Sequence, residues 1–244
     1  MRVVLIGGGG MVGRLLCAHL AGRHDLVVVD PATPGPPGVA HVAADLTDEG
    51  ALDVLAGADA AVHLAAVVPR AGETGDPARV TAAFAVNVGS VHLSLAAAQR
   101  HDLAAFVHVS SMSVHADYGR RPVDPTAPPD ATEPYGLSKR LAEDVCRALS
   151  ARRPRPSVCS LRLAYPTPDA DWPAWRRPDS GRLDRPRLAD GTPVAALAGV
   201  DLAAAVDAAL RYRAGYRAVP IVGDPRTLDR DEPNVLGWTP ARIR

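Results

Sequence analysis

Length, composition and charge bound the kind of protein this chain can be. It has 244 residues, 47% of them hydrophobic, and its 27 Lys and Arg are balanced by 27 Asp and Glu. The length predicts one large domain, or one domain with a small appendage. Zero net charge argues against a nucleic-acid or anionic-membrane binder, because such proteins gain affinity by neutralising phosphates. The apolar runs fall short of the roughly 18 residues that span a bilayer, so we expect no membrane segment.

The cysteines indicate a reducing compartment. Cys17, Cys146 and Cys159 are odd in number, far apart and form no CxxC motif. This usage predicts neither a disulfide framework nor a thiolate metal site. We therefore expect a cytoplasmic protein that begins at or near Met1 and has no metal centre.

Short β-branched runs alternate with longer stretches rich in Ala and Leu. The runs predict strands at 2–6, 26–30, 40–44, 60–64, 106–110 and 158–163. The longer stretches predict helices at 11–23, 49–56, 78–101 and 135–152. Continuous apolar strands separated by helix-length segments are typical of βαβ units. The predicted fold class is therefore α/β, a doubly wound parallel sheet with helices on both faces.

Prolines mark where this regular alternation stops. Proline-rich loops follow the second and fifth predicted strands, and a longer stretch rich in Pro and Arg covers 166–193. A helix at 200–212, a strand at 218–222 and a tail at 236–244 are predicted after it. The sequence therefore divides into a core at 1–165 and a small C-terminal portion at 166–244.

A glycine loop joins the first predicted strand to the first predicted helix. Residues 7–13 read GGGGMVG, which fits either GxxGxxG or GxGxxG. Glycines at such a junction permit a tight turn, close approach of a pyrophosphate and packing of helix on strand. The helix N-terminus adds free N–H groups that bind phosphates. This loop indicates a Rossmann dinucleotide site, and we expect the cofactor to contact Gly7, Gly10, Met11, Val12 and Gly13.

Asp30 ends the second predicted strand, 20 residues after Gly10 (30 − 10 = 20). A carboxylate at this distance accepts hydrogen bonds from the adenosine ribose hydroxyls and repels a 2′-phosphate. Residues 31–39 contain no Arg or Lys that would bind such a phosphate. The sequence therefore predicts NAD rather than NADP as the cofactor.

Tyr135 and Lys139 stand four residues apart at the start of a predicted helix, so their side chains share one face. A tyrosine has a reference pKa of about 10, and a neighbouring cation lowers it by stabilising the phenolate. Ser111 follows the fifth predicted strand, at the sheet edge where parallel sheets bind ligands. These three residues predict a proton-transfer site.

With these motifs the chain resembles the NAD-dependent epimerase/dehydratase family of extended short-chain dehydrogenases/reductases. The resemblance runs over nearly the whole length. Besides the glycine loop and Asp30, the matching segments are Asp45-Leu46, His63-Leu64-Ala65-Ala66, Asn87-Val88, Ser110-Ser111, Tyr135 with Lys139, Leu161-Arg162-Leu163 and Leu236-Gly237-Trp238-Thr239-Pro240.

The resemblance implies a role for each matching residue. Tyr135 would exchange a proton with the substrate hydroxyl while hydride moves to or from nicotinamide. Ser111 would bind the reacting oxygen, and Lys139 would lower the tyrosine pKa and bind ribose. Asn87 fits a proton relay and a helix-stabilising contact equally well. The residues expected to line the cofactor are Asp45, Leu46, Leu64, Ala65, Ala66, Asn87, Tyr135 and Lys139.

Departures from the family pattern narrow the reaction. Dehydratases of the family follow the active-site Ser or Thr with Asp-Glu, whereas Met112-Ser113 stand here, which disfavours elimination of water. Only 244 − 165 = 79 residues follow the core, which favours a small substrate over a sugar nucleotide. Among compact members the chain most resembles the uronate dehydrogenases, through its length, residues 135–139, residues 166–170 and the closing LGWTP. Those enzymes place Asn-His after the active-site Ser, a pair that is absent here.

The segment at 172–187 is rich in Arg and Trp. Its arginines are Arg176, Arg177, Arg182, Arg185 and Arg187, and the acidic residues in or beside it are Asp171, Asp179 and Asp184. In one interpretation an arginine binds a substrate carboxylate while Trp172 or Trp175 stacks on a ring. In the other, the segment is a solvated loop whose tryptophans cover the core.

We therefore expect an NAD-dependent oxidoreductase that acts on a secondary alcohol or ketone of a small sugar or sugar-like substrate. The alternatives are an epimerase that retains its NAD and a non-catalytic dinucleotide sensor, and retention of Tyr135 and Lys139 disfavours the sensor. In the family, helices matching 78–101 and 135–152 often form a homodimer. His63 and His108 lie in predicted strands, so we expect packed imidazoles there rather than metal ligands.

Overall fold

Seven parallel strands form the central sheet. The computed structural model describes residues 1–31, 37–46, 48, 50–69, 72–177, 180–230 and 234–242. The strands are β1 (Arg2–Ile6), β2 (Asp25–Val29), β3 (Ala40–Val42), β4 (Ala60–His63), β5 (Ala105–Ser111), β6 (Ser157–Leu163) and β7 (Tyr216–Ile221). Their order is β3-β2-β1-β4-β5-β6-β7, with every neighbouring pair parallel. The chain builds the sheet outward from β1 to β3 and then continues with β4 on the other side of β1. Doubly wound sheets bind ligands at this switch point between β1 and β4.

Helices cover both faces of this sheet. The α-helices of the described residues are α1 (Met11–Leu20), α2 (Pro77–Phe84), α3 (Val91–Arg100), α4 (Pro134–Ser150) and α5 (Gly199–Arg211). One apolar cluster lies between the sheet and α1 with α5, and a second between the sheet and α3 with α4. Val3 and Leu5 of β1 face the first cluster, and Val4 and Ile6 face the second. Burial on both faces explains the continuous apolar strands, and the predicted fold class is confirmed.

The C-terminal portion completes the main sheet. β7 pairs with β6 along its whole length, and α5 packs against α1 in the first cluster. Strands on either side of residue 165 therefore share one sheet, and the division of the chain into a core and a C-terminal portion stays a prediction. Two short pairings lie outside the sheet: Pro166–Thr167 with Leu197–Ala198, and Trp175–Arg176 with Leu183–Asp184. A substrate-binding role for this portion stays a prediction.

The helix predicted at 49–56 is wrong for the residues that the structure describes. A single 3-10 turn, Asp53–Leu55, forms there. Gly50 and Gly57 bracket the turn with φ angles of 82° and 71°, a left-handed backbone that interrupts a helix. Residue 49 lies outside the described residues, as do residues 32–36 of the predicted proline-rich loop.

The helical stretch Pro77–Arg100 is long and apolar enough to cross a membrane by length and composition, contrary to the expectation from the sequence. It includes α2, a π-helical turn at Ala85–Ser90 and α3. Val91, Leu95 and Ala98 from this stretch are buried in the second apolar cluster. Packing against the sheet accounts for these apolar residues.

Candidate active site

The glycine loop has the geometry that its predicted roles require. Gly7 has a φ of +75°, and a Cβ there would lie 2.4 Å from the Cα of Ala65. A Cβ at Gly13 would lie 2.2 Å from the carbonyl oxygen of Gly8, so α1 packs tightly on the loop. Gly10 caps α1 without a side-chain hydrogen bond, and a Cβ there would meet no described atom within 4 Å. The structure therefore follows the GxxGxxG pattern.

Asp30 lies at the end of β2, beside this loop. Its buried carboxylate accepts a hydrogen bond from the Gly9 N–H at 2.9 Å, and a Cβ at Gly9 would lie 2.7 Å from the Asp30 Cγ. Sequence reasoning missed Arg14, whose Nε donates to the Gly9 carbonyl oxygen at 3.1 Å. Because Arg14 directly follows Gly13, the sequence could have identified it as a cation next to the loop.

The other residues predicted to contact the cofactor differ in exposure. Asp45 and Ala66 are exposed, and the half-buried members are Met11, Val12, Leu46 and Ala65. Leu64, by contrast, packs in the apolar core, and its N–H donates to the carbonyl oxygen of Ile6 at 2.7 Å. Contact between these residues and a cofactor stays a prediction.

Ser111 and Tyr135 come together at the carboxyl end of β5. Ser111 is the last residue of β5 and pairs with Leu163 of β6. Tyr135 lies in the first turn of α4, followed by Gly136. A Cβ at Gly136 would lie 2.1 Å from the carbonyl oxygen of Ser113, so glycine lets α4 approach the backbone just after Ser111.

The Tyr135 phenol holds its proton at neutral pH. Burial raises the pKa of Tyr135 to about 12, a hydrogen-bonding interaction with the Ser111 side chain acts in the opposite direction, and the Glu133 carboxylate raises the pKa further. Glu133 caps α4 by accepting from the Tyr135 N–H at 2.9 Å. Sequence reasoning missed this residue, although an acidic residue just before Pro134 at a helix start is a capping signal.

Lys139 lies one helical turn after Tyr135 and reaches beneath the end of the sheet. It is 2% exposed, and its Nζ donates to the carbonyl oxygen of Val109 at 2.8 Å. The last residues paired between β4 and β5 are His63 and His108. Val109 is the next residue of β5, so its carbonyl oxygen lies just beyond the end of β4. The ammonium is thus held inside the protein.

The surroundings of Lys139 set its charge. Burial lowers the pKa of Lys139 to about 8, while the nearby Cys146 and Glu143 raise it. The spacing in the sequence predicts an ammonium that lowers the pKa of Tyr135. In this arrangement Lys139 is bound to Val109 instead, and burial dominates at Tyr135.

A buried ion pair lies one turn further along α4. The Arg162 Nη2 is 2.7 Å from one oxygen of Glu143, and the Arg162 Nε is 3.0 Å from the other. The two side chains are 6% and 1% exposed. Ser110 Oγ donates to Glu143 at 2.7 Å, and Arg162 Nη1 donates to the Pro125 carbonyl oxygen at 3.2 Å. Sequence reasoning missed Glu143, which its spacing of four from Lys139 could have revealed.

His63 and His108 are buried neighbours of Lys139. Nε2 of His63 shares a hydrogen bond with Ser90 Oγ at 2.8 Å, and Nδ1 of His108 shares one with Ser160 Oγ at 3.1 Å. Burial lowers the pKa of His63 to about 3 and that of His108 well below its usual range, and the Lys139 charge acts in the same direction. Both imidazoles are therefore neutral and packed, but the expectation that they are fully hydrogen-bonded is not met, because His63 Nδ1 and His108 Nε2 are buried without a partner among the described residues.

Asn87 lies in the π-helical turn and is fully buried. Its Nδ2 donates to the Val67 carbonyl oxygen at 2.9 Å, and its Oδ1 accepts from the Val67 N–H at 2.8 Å. The same Nδ2 donates to Ser138 Oγ of α4 at 2.9 Å. These bonds join the segment after β4 to the helix that carries Tyr135 and Lys139. They favour a positioning role for Asn87, and cofactor contact stays a prediction.

The arginines of the 172–187 segment divide by their partners. Arg176 Nε lies 2.6 Å from Asp171, and Arg177 and Arg182 lie 3.7 and 3.6 Å from Asp184. Asp179 lies outside the described residues. Sequence reasoning counted these charges without knowing which of them pair.

The two tryptophans of this segment also differ. Trp172 is fixed to the fold because its Nε1 donates to the Ala196 carbonyl oxygen at 3.1 Å. Trp175 lies edge-on to Tyr165, with ring centroids 5.2 Å apart, and both rings line a cavity. Of the two rings proposed for stacking, the structure therefore favours Trp175.

Comparisons with known proteins agree with this geometry. Residues 3–166 match the model of the NAD dependent epimerase/dehydratase family. A curated relative, 2-alkyl-3-oxoalkanoate reductase from Stenotrophomonas maltophilia, is 29% identical over 172 residues, which are 66% of this chain and 50% of that protein. The chain thus spans about half the length of this relative.

Solved structures share the fold. A short-chain dehydrogenase/reductase superfamily protein from Agrobacterium tumefaciens with bound NAD has a TM-score of 0.74 at 23% identity, covering 91% of this chain and 77% of that one. Uronate dehydrogenase from Agrobacterium tumefaciens has a TM-score of 0.74 at 21% identity, covering 99% and 84%. At such identities the likeness shows the fold alone, whereas the family match covers two-thirds of the sequence. The chain belongs to the NAD-dependent epimerase/dehydratase family.

Proposed function

We propose that this protein is an NAD-dependent oxidoreductase that transfers hydride between nicotinamide and a secondary alcohol or ketone of a small sugar or sugar-like substrate. The observation that carries the proposal is the placement of Ser111, Tyr135 and Lys139 at the carboxyl end of β5, on the same sheet edge as the glycine loop. Family membership and the reductase relative support it.

The loop and its surroundings fit NAD. The pyrophosphate fits the open space at Gly10 and the uncapped first turn of α1, and Asp30 stands where the adenosine ribose would bind. Bound there, NAD supplies the hydride acceptor or donor. Residues that would line it are Gly7, Met11, Val12, Gly13, Asp45, Leu46, Leu64, Ala65, Ala66 and Asn87.

The chain itself handles the proton. Tyr135 keeps its proton in the free protein, so in the direction of reduction it can donate to the substrate oxygen, which Ser111 holds beside it. In the direction of oxidation the phenol must first lose that proton, and a nearby positive charge favours the loss. In the free protein the Lys139 ammonium, one helical turn away, is bound to the Val109 carbonyl oxygen, and we propose that it supplies this charge when substrate and NAD are bound.

A small substrate with a carboxylate suits the C-terminal portion. Beyond the main sheet this portion contributes two short strand pairs and the arginine-rich segment. Two similar proteins, an oxoalkanoate reductase and a uronate dehydrogenase, are named after substrates that carry a carboxylate. We infer that a hydroxy acid or keto acid of monosaccharide size is the substrate.

A substrate panel tests the reaction. Free uronates, aldoses, polyols and sugar nucleotides are incubated with the protein and NAD, and NADH absorbance is followed with product identification. NADH should accumulate with at least one small alcohol that carries no nucleotide. A protein that purifies with stoichiometric NAD and interconverts sugars without NADH accumulation is an epimerase, and that result rejects the dehydrogenase.

We also propose a cytoplasmic homodimer that forms through α3 and α4. These helices pack side by side. Leu93 of α3 is 44% exposed and Leu141 of α4 is 37% exposed. A shallow depression between them is lined in part by Val145, Ala148 and Leu149. Exposed apolar side chains on adjoining helices favour burial by a second copy of the same surface.

A further inference from the structure

Arg162, the buried partner of Glu143, also holds the segment that follows β5. Its Nη1 donates to the Pro125 carbonyl oxygen and to Nε2 of His115, both at 3.2 Å. His115 lies four residues after Ser111 and is 5% exposed. A guanidinium has donors only, so His115 Nε2 must be the acceptor in this bond. The His115 imidazole is therefore neutral and carries its proton on Nδ1.

A single 3-10 turn joins Ser111 to His115. The His115 N–H closes the turn by donating to the Met112 carbonyl oxygen at 3.0 Å, and the Ser113 N–H donates to Ser111 Oγ at 3.1 Å. The Ser113 carbonyl oxygen lies against Gly136, 2.1 Å from where a Cβ would stand. The Ser113 peptide thus lies between the Ser111 hydroxyl and the first turn of α4, so the position of the turn affects both halves of the proton-transfer site.

Charged groups from three parts of the chain face the His115 imidazole. Arg162 approaches from β6, Glu143 from α4, and Asp124 and Asp130 from the segment that leads to α4. Burial and the Arg162 charge lower the pKa of His115 below its ordinary value of 6.5, and the three carboxylates act in the opposite direction. A proton on Nε2 would remove the acceptor and place a second cation 3.2 Å from Arg162 Nη1. Acid therefore breaks the bond between His115 and Arg162.

We propose that His115 is a positioning residue for the proton-transfer site: bound to Arg162 it fixes the turn that orients the Ser111 hydroxyl, and its protonation releases that turn. Arg162 also binds Glu143 of α4, so one guanidinium connects the segment after Ser111 to the helix that carries Tyr135. The inference rests on the proposed function, because the orientation of Ser111 matters to turnover only if Ser111 binds the reacting oxygen.

Nuclear magnetic resonance of the isotope-labelled full chain tests this link without turnover. The His115 imidazole, assigned by the loss of its signals in His115→Gln, should be the Nδ1–H tautomer at neutral pH and should titrate below 6.5. Protection of the Ser113 amide against hydrogen exchange should fall at least about tenfold as His115 is protonated. His115→Gln should keep that protection in acid, because its amide oxygen can accept from Arg162 at any pH. An Nε2–H tautomer at neutral pH, or Ser113 protection that does not change through the titration, overturns the proposal.

The pH profile of turnover tests the consequence for the reaction. Reduction of the carbonyl product found in the panel is followed by the loss of NADH, since in this direction Tyr135 keeps its proton throughout the acid range. The kcat of the parent should fall as the pH decreases below 6.5, approaching about tenfold per pH unit once His115 is mostly protonated. His115→Gln should lack this fall, whereas His101→Gln, just before β5 at the opposite edge of the sheet, should retain it. Circular dichroism at each pH shows that the proteins are folded.

Asp130→Asn is a second variant, which decides the matter if His115→Gln does not fold. Its amide oxygen can still accept from the Ala116 N–H, which the Asp130 carboxylate binds at 2.8 Å, and only a negative charge that raises the pKa of His115 is lost. The acid fall in kcat and in Ser113 protection should therefore move to lower pH by about 0.2–0.7 units, the size expected of a partly exposed charge. An acid fall at an unchanged pH in Asp130→Asn contradicts the role of His115.

The two measurements separate this inference from the oxidoreductase proposal. If no substrate in the panel reduces NAD but the His115 tautomer and the Ser113 protection behave as expected, the link through His115 stands and the oxidoreductase fails. If NAD is reduced but the parent and folded His115→Gln share one pH profile, the oxidoreductase stands and the positioning role fails.

Discussion

Three residues at successive turns of α4 meet different surroundings. Tyr135 lies beside Ser111 and keeps its proton, Lys139 is enclosed, and Glu143 is paired with Arg162 in the interior. Spacing of four places the three side chains on one helical face. Burial raises the pKa of Tyr135 and lowers that of Lys139, whereas Glu143 lies against the Arg162 guanidinium. The helix that carries Tyr135 and Lys139 is therefore anchored to β6 by a buried ion pair.

Glu143→Gln tests how much this buried ion pair contributes to stability. The change leaves the buried Arg162 guanidinium without a counter-charge, so the free energy of unfolding should fall by about 3–5 kcal/mol. Asp144→Asn is the matched control on the same helix, because it removes an exposed pairing with Arg147, and it should cost at most about 1 kcal/mol. Urea unfolding measures both. Equal losses in the two variants would show that the buried pair is not special.

The buried histidines predict acid sensitivity. His63 has a pKa of about 3 in the folded protein, while the unfolded chain takes up this proton near the ordinary value of 6.5. The unfolded state therefore binds more protons between these values, and stability is lost as pH falls through this window. Between about pH 6.5 and pH 4.5, preferential protonation of His63 in the unfolded chain should lower the free energy of unfolding by about 2 kcal/mol.

His63→Gln checks that expectation through the slope of stability against pH. The variant keeps a side chain that can bond to Ser90, and its urea-unfolding free energy should fall less steeply with acidification than that of the parent. His92→Gln changes an exposed histidine and should leave the slope unaltered. A His63→Gln slope identical to that of the parent protein would mean that His63 is not held neutral.

At the level of elements, three glycines of the loop have different structural surroundings. Gly7 makes the turn, Gly13 makes room for α1, and Gly10 faces open space. The first two glycines are required by the packing of the fold, whereas Gly10 caps α1 next to open space and is predicted to leave room for the pyrophosphate. Substitutions can therefore separate folding from cofactor binding.

Gly10→Ala should lower the free energy of unfolding by at most about 1 kcal/mol, because Ala caps a helix less well than Gly, and should weaken NAD binding at least about tenfold, because the methyl group would occupy the pyrophosphate approach. Gly22→Ala is the control, because a Cβ there, just beyond α1, also meets no described atom within 4 Å. It should change neither the free energy of unfolding nor the affinity for NAD. Gly13→Ala should destabilise the fold by about 1–3 kcal/mol, since its Cβ overlaps the Gly8 carbonyl. Calorimetry and urea unfolding give both values. Normal NAD binding by Gly10→Ala would refute the assigned role.

The sequence predicts those elements whose signal is local. Strand β1 and the start of α1 agree with the predicted bounds because apolar runs and glycines mark them directly. The helix predicted at 49–56 fails because the left-handed glycines at its ends act through backbone angles that composition does not show. Asn87 in the π-helical turn forms bonds to Val67, 20 residues earlier in the chain, and the pairing of the arginines depends on which loops approach each other. Such long-range contacts leave no periodic trace in the sequence.

At the level of the whole molecule, the dinucleotide core and the C-terminal portion share one sheet. β7 and α5 come from the last third of the chain and yet complete the core that holds the glycine loop. The remaining C-terminal residues of the described chain form short pairings around the cavity at Tyr165. The sheet thus carries these short pairings beside the carboxyl ends of its strands.

The proposed homodimer predicts a particle of twice the 25.5 kDa chain mass by sedimentation equilibrium. Leu93→Glu with Leu141→Glu should shift the population to monomer at micromolar concentration, because burying unpaired carboxylates at an interface is unfavourable. Val200→Glu introduces a charge at a similarly exposed apolar residue of α5 and should leave the dimer intact. A parent protein that sediments as a monomer, or a double variant that remains dimeric, would exclude this interface.

We propose that Tyr135 transfers the substrate proton while NAD takes or gives hydride. The most direct test is the turnover of Tyr135→Phe, measured by NADH absorbance with the best substrate of the panel. The ring remains and only the hydroxyl is lost, so kcat should fall at least about 100-fold, with NAD affinity and unfolding free energy close to those of the parent. A Tyr135→Phe protein that retains full turnover would contradict the account.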